Sequence, residues 1–327
     1  VYYFYQDGLR PVDTNKTENI NFEVVKDENV SQIAQKLFDA GLIKNKLVFE
    51  TYNRLQKTAG NLKIGKYNLN QAMSVPEIVK KLLVAPVEQM KIMFFPGATL
   101  NFRHSERDKT PSHREVLKQA GFSDQQIDQA FAKKYPDHAL FRLLPEATNL
   151  EGLIFGETLF FDKNSSVEMI LRRYFDHFYK IVTENKLAEK YQAQGLSLYQ
   201  GIILASIIER EAKTDSDRAQ VAQVFLKRFR SGMKLGSDVT YQYICRKTGV
   251  PHNYNIDSPY NTRRYEGLPP APISSPSQSS LLALAKPAEG DYVYFLAGDD
   301  GKTYFAHTYA EHESNIRDHC KIGCSVQ

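Results

Sequence analysis

The sequence predicts an α+β protein in which a small α+β module is followed by a larger α+β domain. Near the start, two short β-prone runs flank capped amphipathic helices, and the middle of the chain holds long helical patterns. Near the end, Tyr292 to Ala297 and Thr303 to His307 are β-prone runs joined by Gly298-Asp299-Asp300-Gly301, a hairpin signal. There is no βαβ alternation and no glycine-rich phosphate loop, in keeping with the α+β class.

The elements follow in order. Val1-Tyr2-Tyr3-Phe4-Tyr5 is an aromatic cluster, and the chain is then polar to about Asn19. That pattern fits a chain leaving a membrane, making 1–19 a membrane-proximal segment, or a plain edge strand. The module spans 20–85. Phe22 to Val25 reads as a strand, and Asn29 with Gln32 caps a helix carrying Ile33, Leu37 and Phe38. Lys46 to Lys57 reads as a second helix and Lys66 to Leu69 as a second strand. Ser74 with Glu77 caps a helix with Pro76 in its first turn, where the missing N–H costs little. Two strands around helices resemble the LysM glycan-binding module, loosely, and a packing domain without ligand is the alternative.

The larger domain spans 86–327. A strand is expected at Lys91 to Phe95, helical segments around Asp124 to Lys134 and Val167 to Glu184, and a helix with cations on one side at Asp217 to Arg230. Thr308 and Glu311 read as a capping box for a last helix.

Composition narrows the functional classes. The 327 residues exceed one average domain, and the formal charge of +4 arises from 42 basic and 38 acidic residues spread along the chain. No basic block interleaves with aromatics, which argues against nucleic acid and permits an acidic polymer as substrate. The three cysteines, Cys245, Cys320 and Cys324, lack paired CxxC spacing. A zinc site is not expected, while Cys320 and Cys324 could pair in an oxidising compartment or stay free. The eight histidines show no HExxH or other metal spacing, and neither metal nor cofactor is expected. No stretch is long and apolar enough to span a bilayer.

Chemistry is most concentrated in Leu204-Ala205-Ser206-Ile207-Ile208-Glu209-Arg210-Glu211-Ala212. Ser197 with Gln200 starts this helix, and its apolar residues run nearly all round, so it belongs in a core. At about 100° per residue the two glutamates point to nearly opposite sides. Glu209 shares a face with Ile202, Ala205 and Ala212, which predicts room for a ligand. Glu211 shares one with Leu204, Ile207 and Ile208, which predicts burial against a partner. A carboxyl in such surroundings is raised in pKa and suits general acid work, although two ordinary ion-paired residues are an even alternative. Downstream, Leu235 to Tyr243 and Ser258-Pro259-Tyr260-Asn261-Thr262 read as loops. The proline-dense run Gly267 to Ile273 stiffens them enough to preset Asn261 and Thr262 as hydrogen-bond partners.

These motifs occur in a fixed order: Leu150-Glu151-Gly152 with Phe155 and Thr158; Ala205 to Glu209 with Glu211; Val224-Phe225 with Arg228; Met233-Lys234-Leu235 with Ser237-Asp238, Thr240 and Tyr243; Ser258 to Thr262; Gly267 to Pro270 with Pro272-Ile273. Tyr294-Phe295 and Tyr309 with Glu311-His312 continue the series. In this order they closely resemble the bacterial endolytic murein transglycosylases, the MltG or YceG-like family. Departures are Gly156-Glu157 before Thr158, Val239 in place of a proline, Arg263-Arg264 in place of an aromatic, Ala271 in place of a glycine, and no glutamate after Phe95-Pro96-Gly97.

The resemblance implies a catalytic role for the larger domain, with peptidoglycan glycan strands as substrate and 1,6-anhydro-N-acetylmuramoyl ends as product. It also implies a membrane anchor upstream of Val1, an extracytoplasmic position and cell-wall synthases, the penicillin-binding proteins, as partners. By motif match Glu209 is the catalytic residue and Glu211 a secondary carboxylate. Glu151, Ser237, Asp238, Thr240, Tyr243, Asn261 and Thr262 are the candidate substrate-binding residues. A hydrolase using Glu209 with Asp238, or a non-catalytic glycan-binding scaffold, is the competing reading.

Overall fold

The computed structural model describes residues 2–85, 89–105 and 108–321. It is an α+β structure that divides into two compact units, Val1–Glu88 and Gln89–Gln327.

In the first unit the aromatic start is a helix, α1 (Tyr2–Leu9), rather than an edge strand. Gly8 of α1 lies so close to Val48 that an added Cβ would meet its Cγ2 at 2.6 Å. Strands β1 (Ile20–Val24) and β2 (Gly65–Leu69) pair antiparallel with Phe22 opposite Tyr67. Their alternation turns Phe22, Val24, Tyr67 and Leu69 inward, as a period of two requires. Between the strands run α2 (Val30–Asp39) and α3 (Lys46–Leu55), and α4 (Val75–Leu82) follows. Their apolar stripes, including Ile33, Leu37, Phe49, Ile78 and Leu82, close one core. The capping boxes expected at Asn29–Gln32 and Ser74–Glu77 are both formed. Pro86, at the expected junction, lies outside the described residues.

The second unit opens with β3 (Gln89–Met93) and continues through α5 (His113–Gln119), α6 (Asp124–Ala132) and α7 (Ala139–Arg142). Strand β4 (Thr158–Asp162) pairs antiparallel with β3, a partner the sequence reading missed. Next come α8 (Val167–Glu184), α9 (Leu187–Ala193), α10 (Leu198–Glu211) and α11 (Asp215–Arg230). The stretch expected to be loop from Leu235 contains α12 (Asp238–Thr248), and α13 (Gln278–Ala285) follows the proline-rich segment. The terminal hairpin, β5 (Tyr294–Ala297) and β6 (Thr303–Ala306), packs with α14 (Tyr309–His319). Thr308 caps α14 as expected, but the Glu311 carboxylate accepts from the N–H of His307 rather than of Thr308. No helix among the described residues is long and apolar enough to cross a membrane. Cys245 is a free, buried thiol, whereas Cys324 lies outside the described residues.

Helix α10 is the centre of this unit. Ten of its 14 residues are buried, leaving it no polar face before its last turn, so α9, α11 and α13 enclose it. At Gly201 the ring of Tyr191 from α9 packs so near that a Cβ would stand 2.0 Å from its Cδ2. That ring cannot swing away freely, because its hydroxyl donates to the carbonyl of Leu281 at 2.9 Å.

Gly201→Ala should therefore destabilise the protein. Alanine's better helix propensity contributes only about 1 kcal/mol, against a typical overpacking cost of about 1–3 kcal/mol at a site where the ring is fixed. Urea denaturation should show a lower midpoint, and an unchanged or higher one would mean that Tyr191 yields without cost.

Candidate active site

Ser206 is the one polar side chain in the enclosed part of α10 past its first turn. Its hydroxyl donates to the carbonyl of Ile203 at 2.6 Å and accepts the N–H of Ile273 at 3.0 Å. The Ser274 hydroxyl returns to the Ser206 carbonyl at 3.0 Å, so the loop after Pro272 is strapped along the helix. The other side of this loop meets Ala98, Gly97 and Gly152. Gly152 has φ +74°, and a Cβ there would stand 2.3 Å from that of Pro272, so only glycine fits.

The strapped loop delivers the start of α13 to Glu209. Oε2 of Glu209 accepts from the main-chain N–H of Ser277 at 3.0 Å, from the Ser277 hydroxyl, and from the Ser280 hydroxyl at 2.6 Å. Oε1 lies 3.7 Å from the guanidinium of Arg218 on α11, and the Glu209 side chain is only 8 % exposed. The open surroundings expected for Glu209 are thus replaced by an array of donors. Glu211 accepts from the Ser237 hydroxyl at 2.6 Å, the kind of partner expected of it. Between the two, Arg210 turns away to Asp108 at 2.8 Å. Burial raises the Asp108 carboxyl, but the Thr110 N–H and the Arg210 charge outweigh it and hold the group below its ordinary value.

The other candidate residues form a network behind this edge. The N–H of Ser237 donates to Thr262 Oγ1 at 3.1 Å, and the Thr240 hydroxyl lies 2.7 Å from the Ser237 carbonyl and 2.9 Å from Thr262 Oγ1. Asn261 is fully buried, and its amide N–H groups go to the carbonyls of Tyr254 and Ile256 at 2.9 and 3.0 Å. Tyr243 donates to Glu151 Oε2 at 3.0 Å, and Glu151 Oε1 accepts the N–H of Leu100 at 3.0 Å. Asp238 is paired with Arg263, one of the two arginines that depart from the family pattern. Glu151, Ser237, Thr240, Tyr243, Asn261 and Thr262 therefore direct hydrogen-bonding groups to protein partners and act on the site by shaping it.

Sequence reasoning passed over Ser277, Ser280 and Arg218. Pro276-Ser277 before an apolar run is a helix-start signal that could have placed the two serines. Arg218 carries no such mark, since only the packing of α11 against α10 and α13 brings it to Glu209.

Burial dominates the ionisation of two histidines. His104 and His113 are both pushed down to about 3 by desolvation, in His104 helped by Arg210, so both are neutral. His104 Nε2 lies 2.9 Å from the Ile273 carbonyl and so carries the ring proton. A cavity of about 500 Å³ opens along α12, with His104, Gln242, Cys245, Arg246 and His252 in its lining. Neither helix glutamate lines it. No cluster of histidine, cysteine and acidic side chains fit for a metal occurs among the described residues.

The profile of the YceG-like family matches residues 22–318. The chain belongs to the YceG-like family. A Bacillus subtilis (strain 168) protein named endolytic murein transglycosylase is 31 % identical over 317 residues, covering 93 % of this chain and 86 % of that one. A Streptococcus pneumoniae (serotype 2, strain D39) protein of the same name is 28 % identical over 346 residues, covering 97 % of this chain. The match takes in 61 % of the pneumococcal protein's length. A crystal structure of a yceG-like protein from Listeria monocytogenes aligns with a TM-score of 0.52 at 30 % identity, covering 91 % of this chain and 99 % of that one.

In this YceG-like chain the burial of Glu151 should make folding stability depend on pH. Desolvation pushes its carboxyl up to about 7, against the opposing pull of the Tyr243 hydroxyl, the Leu100 N–H and Lys247. A carboxyl whose folded-state pKa is raised gives most stability below its unfolded value and loses it as pH rises through the folded one. Folding stability should fall between roughly pH 4.5 and pH 7, by on the order of 3 kcal/mol from this group. Glu151→Gln should flatten that part of a stability–pH curve measured by urea denaturation. An equal slope in the variant would assign it to other groups.

Proposed function

We propose that this chain is the glycan-cleaving part of a peptidoglycan lytic transglycosylase. It cuts strands internally between N-acetylmuramic acid and N-acetylglucosamine and leaves 1,6-anhydro-N-acetylmuramoyl ends. The observation that carries the reading is Glu209: a buried, apolar helix ends by presenting this carboxyl with one oxygen held by three donors. It does so in a chain whose relatives are named endolytic murein transglycosylases.

In this reading Glu209 protonates the glycosidic oxygen as the bond to C1 breaks. The carboxylate then takes the proton of the same sugar's 6-hydroxyl as that oxygen closes on C1. One group serves in turn as acid and base, so no water and no second carboxylate enter. Proton transfer of this kind supplies on the order of 10² to 10⁴ in rate, and positioning and electrostatics supply the remainder. The pairing of Asp238 with Arg263 weighs against a hydrolase that needs Asp238 as a free base.

The reading extends to an anchored protein facing the cell wall, with the anchor preceding Val1. The first unit would hold glycan, and cleavage beside the cell-wall synthases would end nascent strands. The dense anchoring of Glu209 is also what a structural carboxylate shows, so a non-catalytic glycan-binding scaffold is the second reading.

Mass spectrometry of digested glycan strands separates these outcomes. An anhydro end is one water lighter than a hydrolysed reducing end, and the scaffold gives no new ends. Glu209→Gln should abolish cleavage. Because Arg218 and two serines lose their anionic partner, it should also lower stability by about 1–3 kcal/mol. Glu211→Gln should retain anhydro product. A folded, inactive Glu211→Gln beside an active Glu209→Gln would exchange the two roles.

A further inference from the structure

The hydrogen positions around Glu209 are constrained by the partners of its donors. The Ser277 hydroxyl accepts the N–H of Ser280 at 3.2 Å, and the Ser280 hydroxyl accepts Nε–H of Arg218 at 3.2 Å. With those acceptor roles filled, each O–H is free to point at Glu209 Oε2, where the main-chain N–H of Ser277 also points. An oxygen receiving three donated hydrogens has no place for a proton of its own. The acid form therefore carries its proton on Oε1, the oxygen 3.7 Å from the Arg218 guanidinium and beyond hydrogen-bond distance of it.

We infer that Ser277, Ser280 and Arg218 are positioning residues for glycosidic cleavage: they hold Oε2 so that Oε1 carries the transferred proton, and they stabilise the carboxylate left after the transfer. The inference rests on the reading of Glu209 as the acid. The proton leaves Oε1 for the glycosidic oxygen, whose bond to C1 breaks. The negative charge gained by Glu209 meets donors already in place, so little reorganisation accompanies the step. Oε1 then accepts the proton of the 6-hydroxyl. Arg218 acts twice, through its charge beside Oε1 and through Ser280, whose hydroxyl it orients. It is itself held by Asp215 at 2.9 Å, so its position does not depend on Glu209 alone.

The test compares two substrates that differ in how much protonation their leaving group needs. One is native glycan strand, whose sugar alkoxide must be protonated to leave. The other is a nitrophenyl glycoside of a muramoyl-terminated oligosaccharide, whose phenolate leaves without help. Ser280→Ala and Arg218→Met should each lower kcat on strands by about tenfold or more at unchanged KM, and lower it far less on the nitrophenyl glycoside. Arg218→Lys, which keeps the charge, should recover part of the loss. Equal losses on both substrates, or none, would overturn the inference. Arg218→Met and Arg218→Lys decide the matter alone if Ser280→Ala does not fold. Glu209→Gln measured in parallel keeps the two readings apart. Cleavage by that variant refutes Glu209 as the acid. An inactive Glu209→Gln beside fully active Ser280→Ala and Arg218→Met refutes only the positioning role.

Discussion

The hydroxyl of Ser206 sets the geometry of the second unit. A helix with no polar face has to be enclosed, and enclosing segments bring main-chain groups that need partners away from water. Ser206 meets that need for the loop at Ile273 and Ser274 by accepting one N–H while its own carbonyl accepts the Ser274 hydroxyl. The loop is thereby fixed in register against α10, one turn before Glu209. Everything downstream inherits that register, including the cap at Ser277 and the entry of α13. A shift of the loop by one residue would move the serines off the carboxylate and leave Arg218 facing it without them.

Three carboxylate–arginine pairs surround the end of α10: Glu209 with Arg218, Asp108 with Arg210, and Asp238 with Arg263. Partly buried pairs of this kind are weak sources of net stability, because desolvation cancels much of their attraction. Their effect here is directional. The Arg218 guanidinium is also tied to Asp215, and that of Arg210 to the Gly97 carbonyl. Consecutive residues Glu209, Arg210 and Glu211 are thus drawn to α13, to the segment around Gly97 and to Ser237 respectively. The helix terminus acts as a junction for three segments far apart in sequence.

How much of this was legible in the sequence depends on the range of the interactions. Helix caps are local, and Asn29–Gln32, Ser74–Glu77 and Ser197–Gln200 form as their spacing predicts. Helix α8 has the limits its apolar periodicity gives. Helix α12 was read as loop because Ser237-Asp238 and its tyrosines look like turn and binding residues, whereas Ser237 is the helix N-cap. Strand β4 was missed because a two-stranded sheet owes its existence to β3, 65 or more residues earlier. At the site, the helical wheel set the two glutamates against different neighbours, as found, but misjudged the surroundings of Glu209. The wheel reports only the α10 side of each contact, and the neighbours of Glu209 come from α11 and α13. The same limit explains why Asn261 and Thr262 looked available for a ligand when the loop they shape consumes their hydrogen bonds.

Asn261 also bears on how long the protein keeps its shape. Asparagine side chains age by deamidation, which replaces an NH₂ by a carboxylate oxygen. Here both amide hydrogens are held by the carbonyls of Tyr254 and Ile256 in a site closed to water. Conversion to aspartate would set a buried anion against two carbonyl oxygens with no donor to replace those lost, a costly exchange. The closure that shields the amide from attack also makes any attack that does succeed destructive, so this loop's chemical lifetime is tied to how rarely it opens.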